Sequence, residues 1–314
     1  MEMQFFSEYA DKVVRSCSRV IVGKEKEIRL VLTAFLCSGH VLLEDIPGTG
    51  KTMLLRSFAK TVGGEFRRIQ FTPDLLPSDL TGINFYNQKL GEFVFRKGPL
   101  FSQLVLADEI NRATPRTQSS LLEAMEERQI TVDGTTYPLG EPFFVMATQN
   151  PVESYGTFPL PEAQTDRFFL CISLGYMNRS QEIEVLSRPD SARILDELTQ
   201  AVTPEETAWI KEHYREVSVS PVVQNYLMDL IEATRKDKRF ILGASTRGAL
   251  ALYKSAQMTA ALEGRDYVIP EDVKAMLPHV LCHRLGSRSG RIADVREQLV
   301  HLGDTVPVPT ETLS

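Results

Sequence analysis

Apolar residues along the chain first recur at helical spacing and then gather into short unbroken runs. Over 5–36 the spacing predicts helix, interrupted at 21–27 (IVGKEKE). Five strand-like runs follow, at 40–44, 66–71, 104–107, 143–148 and 168–172, with helical stretches between them. Runs that are apolar throughout suit strands buried on both faces, as in a parallel sheet covered by helices. Two segments alternate instead. Residues 83–96 (INFYNQKLGEFVFR) alternate around Gly91, and 129–139 (QITVDGTTYPL) turn at Asp133-Gly134, a two-residue turn signal, so both read as hairpins.

From residue 175 the pattern becomes helical. Thr203-Pro204-Glu205-Glu206 is a capping box with proline at the first helical position and predicts a helix over 205–215. Ser220-Pro221 opens a second helix to 235, Thr246 precedes a third that stops at Gly264, and Pro270 starts a fourth that runs to 285. There is no internal repeat. The expected organisation is an α/β domain over 1–174, a linker with the first lid helix over 175–219, a helical lid over 220–303, and an extended proline-rich tail over 304–314.

Composition narrows the class. Hydrophobic residues make up 43% and charged residues 24%, the balance of a packed chain rather than a disordered one. A net charge of −6 gives no general attraction for nucleic acid or anionic lipid. Cys17, Cys37, Cys171 and Cys282 are far apart and form no C-x-x-C pair, so they read as buried, reduced thiols. The N-terminal MEMQFFSEYADKVVRS lacks the basic start and apolar core of a signal peptide. No apolar run approaches the roughly 20 residues of a membrane span, so a soluble cytoplasmic protein is expected.

The segment EDIPGTGKT, 44–52, departs from the strict phosphate-loop pattern G-x-x-x-x-G-K-[ST] at Asp45, which stands where the first glycine belongs. Such a loop presents backbone N–H groups and a helix N-terminus to an anion, with lysine as a mobile positive charge. Glycine is required where a side chain would block phosphate or where φ must be positive. Gly48 and Gly50 supply those positions, and Lys51-Thr52 opens the helix. Pro47, Gly48, Thr49, Gly50, Lys51, Thr52 and Met53 are therefore the candidate nucleotide cradle. Asp45 sits at the strand exit, and its carboxylate has to point away from the phosphates.

A second element supports the first. QLVLADEINRA, 103–113, is an apolar strand ending in Asp108-Glu109. For Mg²⁺-dependent hydrolysis of ATP, Thr52 would ligate the metal directly, Asp108 would hold it through water, and Glu109 would polarise the attacking water. Beyond the 143–148 run stand Gln149 and Asn150, where an amide could orient that water; on spacing alone Asn150-Pro151 reads as a turn.

EDIPGTGKT, the stretch 106–168 from LADEINRATPRTQ through VMATQNP to TDRF, and LGASTRGAL at 242–250 together closely resemble the MoxR-type AAA+ ATPases. The likeness runs from IVGKEKE to the closing VPVP, and 104–169 is its most specific part. The resemblance implies an AAA+ α/β core with a helical lid, ATP and Mg²⁺ as cofactors, and assembly into homo-oligomeric, hexameric rings. It also implies chaperone-like remodelling of protein clients, metal or cofactor insertion among them, beside a partner with a von Willebrand factor A domain. The family tolerates residues other than glycine at the position of Asp45. By the same resemblance Asn150 looks like sensor 1 and Arg167, in TDRF, like an arginine finger reaching the neighbouring subunit, a role Arg112 or Arg116 could share. Arg247, in ASTRG, looks like sensor 2, delivered by the lid to its own nucleotide. Val22 and Gly23 look like part of the adenine pocket, and the two hairpins match insertions that project toward the ring pore.

Other features read as structural. His279 and His283 lie four apart with Cys282 between, a spacing that can imitate a metal pair, but no further ligand cluster is evident. Leu121, Leu122 and Met125 read as helix core, and Arg67-Arg68 and the run 235–239 as solvated faces. Against the ATPase stand a nucleotide-gated scaffold with negligible turnover, which an intact Glu109 opposes, and a nucleic-acid motor, which the charge and the lack of a basic, aromatic-interleaved stretch oppose.

Overall fold

A computed structural model describes residues 3–46, 48–150, 156–188, 191–287 and 291–309. Its centre is a sheet of β1 (Val41–Glu44), β2 (Phe66–Gln70), β3 (Leu104–Asp108), β4 (Phe144–Gln149) and β5 (Leu170–Ile172). The order is β2-β3-β4-β1-β5, and every neighbouring pair is parallel. Strands that run the same way need a crossover between them, and the helices Lys51–Val62, from β1 to β2, and Pro115–Glu127, between β3 and β4, supply two of these. Strands β1, β3 and β4 are apolar runs buried on both faces, as their composition predicts. Strand β2 corrects the expectation of two-faced burial. It lies at the sheet edge, where Ile69 is buried while Arg67, Arg68 and Gln70 are exposed. The run FRRIQ has too few apolar side chains to face protein on both sides.

Both hairpins form. Gly82–Asn87 pairs with Glu92–Lys97, and Gln129–Val132 with Thr135–Pro138. The second turns through Asp133 and Gly134 at φ of 50° and 80°, the doubly positive pair that a tight hairpin of matching twist requires. Phe95 and Tyr137 stack with ring centroids 4.3 Å apart, joining the two hairpins.

The lid contains the helices Pro204–His213, Pro221–Lys236, Thr246–Leu262, Pro270–Leu281 and Ile292–Thr305. Thr203, Ser220 and Ser245 each accept a first-turn N–H, and Glu206 returns the bond to the Thr203 amide. Asn178 and Gln181 form a capping box that opens the helix Arg179–Ser187, and the helix Ser191–Glu197 follows it. The first buries no residue, so it carries no apolar stripe. The last helix runs to Thr305, two residues into the expected extended tail. No helix among the described residues is long and apolar enough to cross a membrane.

His40 binds three elements at the N-terminal edge of the sheet. Its Nε2 donates to the Met125 carbonyl at 3.1 Å and its Nδ1 accepts the Val145 N–H at 3.0 Å, an arrangement that needs the neutral ring. Burial lowers its pKa from 6.5 to about 4, against a smaller upward pull from the Met125 carbonyl. His279 is lowered to about 4 as well, by burial first and then by Arg296. The unfolded chain takes up protons at these rings near pH 6.5 and the folded chain only near 4, so stability falls as pH drops through that window. Chemical denaturation at pH 7 and pH 5 is expected to show this loss, on the order of 1–3 kcal/mol per ring. His40→Gln is expected to flatten part of the slope.

Candidate active site

Three strand ends meet on the C-terminal edge of the sheet, where open parallel sheets hold their ligands. After β1 the chain enters the phosphate loop. Gly48 and Gly50 take φ of 84° and 88°, and a Cβ at either would project into open space rather than into protein. Gly50 also begins the helix Lys51–Val62 without a side-chain cap, so the first-turn N–H groups are left to whatever occupies the loop. The Lys51 ammonium donates to the carbonyls of Asp45 and Ile46, at 3.1 and 3.2 Å. Pro47 lies outside the described residues. Glycines at positive φ, an uncapped helix start and a lysine held by loop carbonyls fit a triphosphate.

Asp45 points away from the cradle, as the sequence required. Its carboxylate is buried and accepts N–H groups from Ile46 at 2.9 Å, Leu174 at 2.7 Å and Gly175 at 3.1 Å. It ties the loop to the segment that leaves β5. Lys24, from the IVGKEKE break, is buried and donates to the carbonyls of Leu174 and Tyr176. The sequence marked neither residue for this task, because their partners lie far away in the chain.

At the end of β3, Asp108 and Glu109 are held by side chains the sequence did not single out. The Thr148 hydroxyl donates to Asp108 Oδ1 at 2.7 Å and accepts the Glu109 N–H at 2.8 Å. Glu109 itself has φ of 58°, a costly conformation for a residue with a side chain. Its carboxylate accepts Gln70 Nε2 at 2.9 Å and pairs with Arg112 at 2.8 Å. Arg68 corrects the reading of Arg67-Arg68 as a plain solvated face, because its guanidinium grips Asp108 Oδ2 at 2.6 and 3.1 Å. Asn150 is buried one residue past β4, where Asp45 N–H donates to the Gln149 carbonyl at 3.2 Å. Asn150 therefore lies beside the exit of β1, where the phosphate loop begins. Arg68 and Thr148 fix the Asp108 carboxylate, which together with the Thr52 hydroxyl offers oxygen donors that could hold Mg²⁺.

A cavity of about 320 Å³ opens beside the loop, lined by Gly48, Thr49, Tyr176, Met177, Glu182 and Leu186 among others. Val22 and Gly23 do not line it. Gly23, at φ of 64°, packs against Gln181, whose Nε2 donates to the Gly23 carbonyl at 3.3 Å. The pair thus seats the helix whose other residues form the cavity wall. Met53 is half-buried against the core.

The two lid-side arginines lie elsewhere. Glu126 pairs with Arg167 at 3.1 Å and with Arg247 at 2.7 Å, and Arg247 also approaches Asp166 at 3.8 Å. Glu126 ends a helix that runs back from β3, Arg167 precedes β5, and neighbouring Met125 is bonded to His40 just before β1. All three belong to the N-terminal edge. A strand of four residues spans about 13 Å at ~3.3 Å per residue, and that length separates them from their own phosphate loop. The expectation that the lid delivers Arg247 to its own nucleotide does not match this placement. Arg112, bonded to its own Glu109, also faces its own site.

A 51432-type parallel sheet with a phosphate loop, an Asp-Glu strand end and an appended helical lid defines an AAA+ ATPase. Comparisons agree. Residues 40–170 match the ATPase family associated with various cellular activities (AAA), and 232–300 match the AAA lid domain. The uncharacterized protein YeaC of Bacillus subtilis is 49% identical over 87% of this chain and 86% of its own. Chaperone MoxR1 of Mycobacterium tuberculosis is 40% identical over 90% of this chain and 77% of its own. The crystal structure of a Cytophaga hutchinsonii protein described as a candidate ATPase superposes with a TM-score of 0.89 at 38% identity, covering 98% of this chain and 97% of that one. The chain belongs to the MoxR family of AAA+ ATPases.

Thr148 joins the two acids, so its hydroxyl is the simplest place to test their coupling. Thr148→Val is expected to lower kcat for ATP hydrolysis by about ten- to a hundredfold, with a much smaller change in nucleotide affinity. Steady-state turnover alongside nucleotide titration checks it.

Proposed function

We propose that this ATPase works as a ring, most simply a hexamer, in which each active site is divided between neighbouring subunits. The observation that carries this reading is the division of the site in one chain. The cradle, Asp108, Glu109 and Asn150 occupy one edge of the sheet, while Arg167 and Arg247 are paired with Glu126 on the other. A ring brings the second edge of one subunit against the first edge of the next.

In such a ring Gly48, Gly50 and the helix N-terminus bind the phosphates through backbone N–H groups, and Lys51 exchanges its loop carbonyls for phosphate oxygens. Thr52 and Asp108 would hold Mg²⁺, which neutralises charge on the phosphate oxygens when bound. Glu109 polarises the attacking water once it leaves Gln70 and Arg112, and Asn150 orients that water. Arg167 turns from Glu126 to the neighbour's nucleotide, and Arg247 follows it in trans. The lid carries Arg247, so nucleotide state is transmitted to the arrangement of lid and core. We assign the resulting work to remodelling of client proteins in the cytoplasm, including insertion of metals or cofactors, beside a partner with a von Willebrand factor A domain. The name of the chaperone relative supports the client class. The net charge of −6 supports protein rather than nucleic acid as the client.

Glu109→Gln is expected to bind ATP normally and lose at least about a hundredfold in turnover, measured by calorimetry and phosphate release. Wild-type turnover in that variant would remove Glu109 from the base's role. In mixed assemblies, Arg167→Ala subunits are expected to depress activity more steeply than their fraction. A loss strictly proportional to that fraction would exclude a finger acting in trans.

A further inference from the structure

Behind the phosphate loop, strand β5 meets the end of the lid helix Pro270–Leu281, and soft ligands are buried at the joint. Cys171 on β5 and Cys282 and His283 just past the helix each offer one ligand atom, and these atoms all lie within 4.8 Å of one another. None of the three residues is more than 4% exposed. The sequence placed only Cys282 beside the two histidines and showed no further ligand; the fold brings Cys171 to them. His279, the other half of the sequence's pair, is not part of this cluster.

The imidazole is held as a ligand would be. His283 Nε2 lies 2.9 Å from the Phe168 carbonyl, which can only accept, so Nε2 carries the proton and Nδ1 keeps its lone pair. Nδ1 is buried without a hydrogen-bond partner. Anchoring one ring N–H on a backbone carbonyl while the other nitrogen stays uncommitted is the way metal-binding histidines are oriented. A guanidinium stands beside both sulfurs. Arg296 Nη2 lies 3.8 Å from Cys171 Sγ and 3.7 Å from Cys282 Sγ.

We infer that Cys171, Cys282 and His283 form a binding site for a thiophilic divalent ion of the zinc class, which staples the lid to the edge of the ATPase core. Two thiolates balance the charge of the dication, and an uncharged imidazole completes a soft donor set. Bonds of about 2.3 Å to tetrahedral zinc set two sulfurs about 3.8 Å apart, so the 4.8 Å bound demands a contraction of about one ångström at most. Mg²⁺ prefers oxygen ligands and is served at Thr52 and Asp108 instead. The joint also includes the segment around Arg167. Thr165 Oγ1 donates to the His283 carbonyl at 2.7 Å, and Arg284 donates to Phe168 and Asp166. An ion here would stiffen the base of the arginine-bearing segment without touching nucleotide.

The test uses the full chain produced in cobalt-supplemented minimal medium and purified under reducing conditions. The expected result is a single equivalent of cobalt per chain, with sulfur-to-cobalt charge-transfer absorption and intense visible bands of tetrahedral Co²⁺. Zn²⁺ should bleach these bands and excess Mg²⁺ should leave them. Cys171→Ser, Cys282→Ser and His283→Gln should each lose or shift the bands, while Cys17→Ser, a buried thiol elsewhere, keeps them. Zinc should raise Tm of the wild-type chain by about 5 °C and leave Cys282→Ser unmoved. Folded, nucleotide-binding protein without thiolate bands would overturn the inference. So would bands that persist in folded Cys282→Ser, or a Cys171–Cys282 disulfide in cells lysed directly into alkylating agent.

Discussion

Parallel alignment of β1 to β5 constrains everything else in this molecule. Strands that all run one way place all their C-terminal ends on one edge, and each must be followed by a crossover that returns the chain to the other. The phosphate loop, Asp108-Glu109 and Asn150 follow β1, β3 and β4, so they converge without further design. The same rule sends Glu126, at the end of a returning helix, and Arg167, ahead of β5, to the opposite edge. The separation of these groups onto opposite edges is a direct consequence of strand polarity.

Within that frame the active edge is held by buried or half-buried polar groups that each serve two elements. Asp45 joins the loop to the exit of β5, Lys24 joins the N-terminal helices to the same exit, and Thr148 joins Asp108 to the backbone of Glu109. A charged acceptor in such a place contributes more than an ordinary hydrogen bond, and leaving its donors unpaired costs about 1–3 kcal/mol each. Geometry at this edge is therefore stiff. The carboxylate of Glu109 is the exception, since Gln70 and Arg112 hold it only through surface-accessible bonds.

The lid shows the complementary design. It meets the core on a broad front: Trp209 packs on Phe5 and Phe6, Tyr9 is hydrogen-bonded to Thr207 at 2.7 Å, and the stretch from Cys282 to Arg284 bonds to Thr165, Asp166 and Phe168. Glu126, shared by Arg167 and Arg247, bridges the same two bodies by a more exposed contact that salt and a neighbouring subunit can compete for.

Local chemistry was legible in the chain by itself. Apolar runs gave β1, β3 and β4, Asp133-Gly134 gave a hairpin, capping residues gave the lid helices, and glycine with lysine and paired acids gave a nucleotide site; each signal depends only on residues near one another. Edge position was not legible, so FRRIQ read as a buried run and Arg68 as a solvated face. Helix Arg179–Ser187 offered only its Asn178–Gln181 capping box and no apolar stripe, because it buries nothing. The roles of Asp45, Lys24, Thr148 and Glu126, the site of Arg247, and the company kept by Cys171 came only from tertiary structure. Their partners are distant in sequence, and only the crossing of strands and helices decides which distant side chains share a hydrogen bond.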